Sequence, residues 1–118
     1  MALPREYPAE DCPIARSLEV VGERWTLLIL REAFRGGRRF TDFQDRLAVP
    51  KAVLSQRLSF LVKEHIFDIA ATERAGRAEY ELTSKGRQLL PVLTALAEWG
   101  AEHYDTAYVD TLAPEAQE

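Results

Sequence analysis

The segment KAVLSQRLS, residues 51–59, carries basic and hydrogen-bonding side chains on the expected exposed side of a helix. No acid follows until Glu64, and the polar members are Lys51, Ser55, Gln56, Arg57 and Ser59. An amide such as Gln56 can pair with adenine through two hydrogen bonds, and a guanidinium such as Arg57 can pair with guanine or hold a phosphate. Lys51, at the start of the segment, suits a phosphate. An ordinary solvent-exposed helix is the alternative, and both interpretations stay open on this segment alone.

Positive charge is concentrated in the middle of the chain. The 118 residues have a formal net charge of −4, yet residues 24–63 contain nine lysine and arginine side chains against three acids, a balance of +6. Affinity for a polyanion depends on the patch that meets the phosphates rather than on the total charge. The segment therefore suits nucleic-acid contact, although a solvated basic surface would give the same count.

Cys12 is the single cysteine and the one reactive candidate. It precedes Pro13 at the expected positive end of a helix, with Arg16 one turn along, and both features favour the thiolate. Such a thiol could sense oxidants or electrophiles, whereas a half-buried structural cysteine is the alternative. A single cysteine cannot form an intrachain disulfide.

No residue pattern indicates catalysis or a bound cofactor. The sequence has no Gly-x-Ser-x-Gly motif and no phosphate-binding glycine loop, and its two histidines, His65 and His103, lie far apart. His103 falls near Glu98 and Glu102 on an expected helix, where a solvated surface explains them better than a metal site. We therefore expect a protein that is not an enzyme and holds no metal or other cofactor.

The chain is long enough for one hydrophobic core and too short for two ordinary domains. No run approaches the roughly 18 apolar residues of a membrane span, and the N-terminus lacks the pattern of a secretory signal. We expect a soluble cytoplasmic protein without membrane contact. The expected organisation is an N-terminal arm at 1–11, one domain at 12–104 and a C-terminal extension at 105–118 whose end is disordered.

Two helices are predicted before residue 38. Pro13 suits a first helical position, and apolar residues recur at helical spacing until Gly22. A second helix begins near Trp25 and ends at the pair Gly36-Gly37, which frees the backbone for a turn.

A third and a fourth helix follow. Thr41 is expected to cap the third, with Gln44 reaching back as in a capping box, and this helix packs Phe43 and Leu47 on the core. The fourth helix, 51–64, has an apolar stripe formed by Leu54, Leu58, Leu61 and Val62.

Two extended runs, residues 66–72 and 78–82, predict a β-hairpin. Gly76 tolerates the positive φ of a tight turn, and the tip at 73–77 carries Arg74 and Arg77. These arginines could contact a DNA backbone or merely solubilise a loop.

The remaining sequence predicts a long C-terminal helix. Thr83 caps it at Ser84, it ends near Tyr104, and Pro91 must kink it or divide it. Its apolar residues cover more of its circumference than one core needs, so we expect a two-fold homodimer; a central helix buried within the monomer is the alternative. The expected interface residues on this helix are Leu89, Leu93, Leu96 and Trp99.

This order of elements predicts a mostly α fold with a small β-hairpin, a winged helix-turn-helix. Such a fold docks the second motif helix in the major groove and leans the wing on the backbone or a neighbouring groove. Two copies set about 34–36 Å apart would read an inverted-repeat operator. The residues expected to face double-stranded DNA are Arg38, Arg39, Thr41, Lys51, Ala52, Ser55, Gln56, Arg57, Arg74 and Arg77.

The sequence over about residues 12–100 resembles the HxlR-type family of bacterial winged helix-turn-helix regulators. The resemblance rests on Cys12-Pro13, Gly22-Glu23-Arg24-Trp25, Arg39-Phe40-Thr41-Asp42-Phe43, Tyr80-Glu81-Leu82-Thr83, Gly86, Leu90-Pro91-Val92-Leu93 and Glu98-Trp99-Gly100.

The resemblance implies a homodimeric DNA-binding repressor or activator with N- and C-terminal dimerisation helices and a recognition helix at 51–59. The first helix thereby adds Ile14 and Leu18 to the expected interface. It also permits a sensing role for Cys12 and a small-molecule or oxidant inducer. Two departures stand out: His65 occupies a position where the family usually has glycine, and the wing lacks the proline often found there. A winged helix that binds protein instead of DNA is the alternative function.

Overall fold

A computed structural model of the chain describes residues 12–71 and 78–106. Its elements in chain order are α1 (Pro13–Val21), α2 (Thr26–Phe34), α3 (Phe40–Leu47), α4 (Lys51–Lys63), β1 (Phe67–Ala71), β2 (Ala78–Leu82), α5 (Ser84–Arg87) and α6 (Leu90–His103). This order confirms the predicted mostly α fold with one hairpin. The predicted arm at 1–11, the hairpin tip at 73–77 and the chain beyond 106 lie outside the described residues, so the domain boundaries stay a prediction.

The first two helices begin and end where the sequence predicted. Pro13 lies in the first turn of α1, and the Cys12 sulfur accepts a hydrogen bond from the Ala15 backbone N–H at 3.4 Å. At the end of α2, Gly36 has φ 103° and the Gly37 N–H donates to the Glu32 carbonyl at 2.8 Å. This hydrogen bond closes the helix in a Schellman motif, which requires the left-handed conformation that glycine adopts without strain.

The predicted cap of α3 is wrong. Thr41 lies inside the helix and is exposed, and Gln44 does not reach back to its start. Instead, the Asp42 carboxylate accepts hydrogen bonds from the backbone N–H groups of Arg38 at 2.9 Å and Arg39 at 3.0 Å. A carboxylate is a stronger acceptor than a hydroxyl, and negative charge is favoured at a helix N-terminus.

Helix α4 packs its leucine stripe into the centre of the protein. Leu54, Leu58 and Leu61 are buried, and Val62 is half-buried. They meet apolar residues of the other elements in one core cluster, which includes Ile29, Leu30, Phe34, Phe43, Val49, Ile66, Phe67 and Leu93. Burial of this stripe turns the opposite face of α4 outward.

The turn after α4 has the geometry of a glycine turn although His65 occupies it. His65 has φ 64°, its N–H donates to the Val62 carbonyl at 3.0 Å, and the Ile66 N–H donates to the Leu61 carbonyl at 2.9 Å. These two hydrogen bonds form a Schellman motif, and buried Leu61 and Ile66 supply its apolar contact. Histidine thus replaces the usual glycine at this position without changing the conformation of the turn.

The hairpin is tied to the start of α3. Strands β1 and β2 are antiparallel, with Phe67 opposite Leu82 and Ala71 opposite Ala78. The Tyr80 N–H on the outer edge of β2 donates to the Arg38 carbonyl at 2.6 Å. The rings of Phe43, Phe67 and Tyr80 pack together, with centroids 6.0–6.4 Å apart. The wing strands and α3 therefore share one packed junction.

The C-terminal helix is divided, one of the two outcomes predicted from Pro91. The Thr83 hydroxyl accepts from the Gly86 N–H at 3.0 Å and so caps α5, and Pro91 lies in the first turn of α6. Helix α6 packs its inner side on α2. Leu93 is consequently buried in the core, so this predicted interface residue serves the monomer instead, while Leu89 is half-buried against that core. In the described part of the chain, no helix is both long and apolar enough to span a bilayer.

Candidate nucleic-acid interface

The outward face of α4 gathers most of the side chains that the sequence predicted for base contact. Lys51, Ala52, Ser55, Gln56 and Ser59 are all exposed, and the buried leucines lie on the other side of the helix. This face carries amide, hydroxyl, ammonium and methyl groups and no carboxylate. Such groups can hydrogen-bond base edges, contact a thymine methyl group or hold a phosphate.

Arg57 does not belong to this face, which corrects its expected exposed position. It lies three residues after Leu54 and four before Leu61, so helical geometry places it beside the buried stripe. Its Nη1 lies 3.5 Å from Thr26 Oγ1 and 3.8 Å from Glu23 Oε1. Its guanidinium carbon lies 4.6 Å from the Phe60 ring centroid, and only 20% of the side chain is exposed. Arg57 therefore connects α4 to the start of α2.

Glu23 and Thr26 were not identified from the sequence, yet they form the other half of this connection. Glu23 Oε1 accepts from the Trp25 N–H at 2.8 Å and from the Thr26 hydroxyl at 3.1 Å. Thr26 is fully buried, so these partners satisfy a polar group inside the core. An acid just after Gly22 and three residues before a helix was the available signal for a cap.

The start of α3 presents a second group of basic residues. Arg38 is exposed, and its carbonyl is bound by the wing strand. Arg39 turns toward β2, where its Nη2 lies 3.4 Å from Glu79 Oε2, and Thr41 is exposed. Glu79 was not identified from the sequence because it lies 40 positions from Arg39, and no local pattern relates the two.

Asp42 fixes the backbone that carries these arginines. The backbone N–H groups of Arg38 and Arg39 lower the pKa of its carboxyl below the ordinary value, and the charges of Arg46 and Arg39 lower it further, while desolvation opposes them. The carboxylate is thus charged at neutral pH and holds the turn before α3 in one conformation.

Much of the local positive charge is neutralised inside the protein. Buried Glu32 lies 3.0 Å from Arg31, 3.1 Å from Arg35 and 3.8 Å from Arg46. With Arg39 and Arg57 also next to acids, five of the nine basic residues in 24–63 lie within ion-pair distance of a carboxylate. The other four are exposed, and they are Arg24, Arg38, Lys51 and Lys63. The segment's +6 is therefore not all available to a ligand.

The remaining predicted site residues are the two arginines of the wing tip and Cys12. Arg74 and Arg77 lie outside the described residues. Cys12 is half-buried at the start of α1. Within residues 12–71 and 78–106, no three His, Cys, Asp or Glu side chains are arranged to hold a metal ion.

Helices α1 and α6 both expose large apolar side chains. Ile14 is 72% exposed, Leu96 48% and Trp99 56%, and Leu18 is also exposed. Trp99 packs its ring against those of His103 and Tyr104, with centroids 5.1 Å and 5.7 Å away. Four of the six predicted interface residues therefore lie on the surface of the monomer.

Comparison with known proteins identifies the family. The sequence pattern of the HxlR-like helix-turn-helix family matches residues 20–108, which is most of the chain. The chain belongs to the HxlR-like helix-turn-helix family. The resemblance noted from the sequence motifs is thereby confirmed.

Several transcriptional regulators are similar to most of this chain. An uncharacterized HTH-type transcriptional regulator of Mycobacterium tuberculosis is 47% identical over 91 residues, which are 76% of this chain and 58% of that protein. The chain thus spans less than two thirds of that relative. The HTH-type transcriptional regulator YvaP of Bacillus subtilis is 32% identical over 86% of this chain and 97% of its own length. Both relatives are named as transcriptional regulators and not as enzymes, in agreement with the expectation from sequence.

Solved structures share the fold. PA1607, described as a candidate transcription factor, has a TM-score of 0.77 and 41% identity over 81% of this chain and 68% of its own. The reduced form of the redox regulator HypR has a TM-score of 0.73 and 26% identity over 80% of this chain and 95% of its own.

Proposed function

We propose that this HxlR-like chain is a sequence-specific DNA-binding transcriptional regulator that acts as a homodimer on an inverted-repeat operator. The observation that carries the proposal is the outward face of α4, which exposes Lys51, Ser55 and Gln56 and no carboxylate. A helix that enters the major groove needs such a face, since carboxylates there would be repelled by phosphate.

In this proposal each residue has a distinct task. Gln56 and Ser55 read base edges, Ala52 contacts a thymine methyl group, and Lys51 holds a phosphate at the start of α4. Arg38, Arg39 and Thr41 contact the backbone, because the first helix of the motif crosses it. The wing tip at 73–77, with Arg74 and Arg77, adds a backbone or minor-groove contact. Arg57 holds the recognition helix in place through its contacts with Thr26 and Glu23 at the start of α2.

The homodimer is supported by the apolar surface of α1 and α6. Ile14, Leu18, Leu96 and Trp99 remain exposed after the monomer has packed. A two-fold contact would cover this surface in both copies and separate the two α4 helices by about one DNA turn.

We further propose that the regulator responds to oxidants or electrophiles through Cys12. Cys12 lies half-buried at the N-terminus of α1, beside the exposed dimer surface of the same helix, and the similar protein HypR is a redox regulator. Oxidation at this position could thus alter the dimer and release DNA. Diamide should release DNA from the wild type, and unchanged release from Cys12→Ser would reject the role.

DNA binding itself is tested by titrating the full chain into labelled duplexes at rising salt. We expect a steep loss of affinity with salt and a protected inverted repeat on DNA that flanks the protein's own gene. Binding that does not respond to salt would instead favour a winged helix that binds protein.

A further inference from the structure

The ion pair between Arg39 and Glu79 joins the start of the first motif helix to the wing. Arg39 immediately precedes α3, and Glu79 lies on β2, 40 positions later. The backbone around both residues is fixed, because the Tyr80 N–H binds the Arg38 carbonyl at 2.6 Å and the Arg39 N–H binds the Asp42 carboxylate at 3.0 Å. Only the two side chains are therefore free to separate.

The contact between them is weak enough to exchange. A single Nη2 to Oε2 contact of 3.4 Å joins the pair, which is longer than a strong charge-assisted hydrogen bond. The two side chains are also 37% and 28% exposed, so water and salt screen their attraction. An exposed pair of this kind changes an equilibrium by only about two- to five-fold.

A DNA phosphate is a better partner for the same guanidinium. Phosphate oxygens accept two parallel hydrogen bonds from arginine, and binding also releases counterions from the duplex. Helix α3 would cross the backbone, so its start lies where a phosphate would arrive.

We propose that Glu79 is a positioning residue that holds Arg39 against the wing in the free protein. When DNA binds, a phosphate replaces Glu79 as the partner of Arg39. The inference rests on the proposed function, since Arg39 contacts DNA only there. Each binding event must break the pair, so Glu79 lowers the affinity for any duplex.

The test compares two glutamates on the same strand. Glu79→Gln removes the partner of Arg39, whereas Glu81→Gln removes an equal charge two residues along, on the same face of β2 and exposed. Each substitution is made alone and together with Arg39→Gln. Affinity of the full chain for a fluorescent random-sequence duplex is measured by anisotropy at several salt concentrations, and thermal unfolding checks that each variant folds.

We expect Glu79→Gln to raise the affinity about two- to five-fold more than Glu81→Gln does. In the Arg39→Gln background, Glu79→Gln and Glu81→Gln should change the affinity equally, because the arginine that pairs with Glu79 is absent. Damage to the fold would lower affinity and cannot imitate this gain.

Two results would overturn the inference alone, with salt-dependent DNA binding intact. Equal gains from the two variants would mean that Glu79 acts only through its overall charge, and a fall in affinity would mean that the pair presents Arg39 to DNA. Wild-type binding that ignores salt would overturn the proposed function and this inference with it.

Discussion

At the scale of single residues, Arg57 and Gln56 are neighbours in sequence with opposite tasks. Gln56 points outward, while Arg57 lies over Phe60 and reaches Thr26 and Glu23 at the start of α2. One residue along a helix is a rotation of about 100°, which separates the proposed reading position from a supporting one. Substitutions of these two residues should therefore have different consequences.

We predict that Gln56→Ala weakens operator binding about 5- to 100-fold and leaves stability unchanged, because it removes a contact made only with DNA. Arg57→Ala should instead lower the free energy of unfolding by about 1–2 kcal/mol, since it loses its packing over Phe60 and leaves Glu23 without a cation. Chemical denaturation and a binding titration measure the two effects. A stable Arg57→Ala protein that fails only to discriminate base sequence would contradict this assignment.

At the scale of secondary-structure elements, capping side chains and turn conformations decide where the motif helices begin and end. Helix α3 begins on a carboxylate cap, and α3 and α4 both end on a non-glycine residue with positive φ, Ala48 at 55° and His65 at 64°. These positions fix the angle at which the motif presents α4.

The cap of α3 makes part of the stability depend on pH. The pKa of the Asp42 carboxyl is lowered in the folded protein by the Arg38 and Arg39 N–H groups, so its contribution is full above the ordinary carboxyl pKa. It is lost as the pH falls through the lowered value. Asp42→Ala should cost about 1 kcal/mol at pH 7, and the cost should shrink on acidification below about pH 4.

Urea unfolding of wild type and variant from neutral to acid pH measures this difference. Asp45→Ala, on the exposed side of the same helix, controls for loss of a carboxylate away from the cap. A cost of Asp42→Ala that stays constant with pH would show that the charge of the carboxylate is irrelevant.

The turn after α4 can be relieved of strain. His65→Gly should raise the free energy of unfolding by about 0.5–1 kcal/mol, because glycine adopts positive φ without the clash of a Cβ atom. Glu64→Gly is the matched control, since Glu64 has φ −85° and glycine there should destabilise by a similar amount. Thermal or chemical unfolding of both variants gives the comparison. If both substitutions lower the free energy of unfolding, His65 is not strained.

At the scale of the whole molecule, α6 has two apolar sides with different roles. Its inner side buries Leu93 in the core, and its outer side exposes Val92, Leu96 and Trp99. These three recur at helical spacing and form a stripe that residues 12–71 and 78–106 leave uncovered. A second copy is the proposed occupant.

We predict that Leu96→Glu converts the proposed dimer to a folded monomer, because it would bury an unpaired carboxylate in the apolar contact, and weakens operator binding at least about 10-fold. Light scattering after size-exclusion chromatography gives the mass, and circular dichroism verifies folding. Thr94→Glu, exposed on another side of α6, is the control and should remain dimeric. A monomeric wild type at micromolar concentration would contradict the proposed assembly.

The sequence by itself determined the elements, because their signals are local. Pro13, the Gly36-Gly37 pair, Thr83 and the leucines of α4 act over a few neighbouring residues, and each is found where it was expected. The prediction of the α3 cap was wrong although its signal is equally local, since Asp42 and not Thr41 accepts the hydrogen bonds of the free N–H groups. The outward face of α4 also followed from periodicity, except that Arg57 was wrongly placed on it.

Only the tertiary structure decided which charged side chains remain available to a ligand. Arg39 meets Glu79 across 40 positions and Arg57 meets Thr26 across 31, and Glu32 meets Arg46 from another helix. Coulombic attraction acts over a few ångströms of space, so such pairs depend on how helices and strands pack and not on sequence distance. Composition could count the charges of residues 24–63, but the fold determined which of them are already paired.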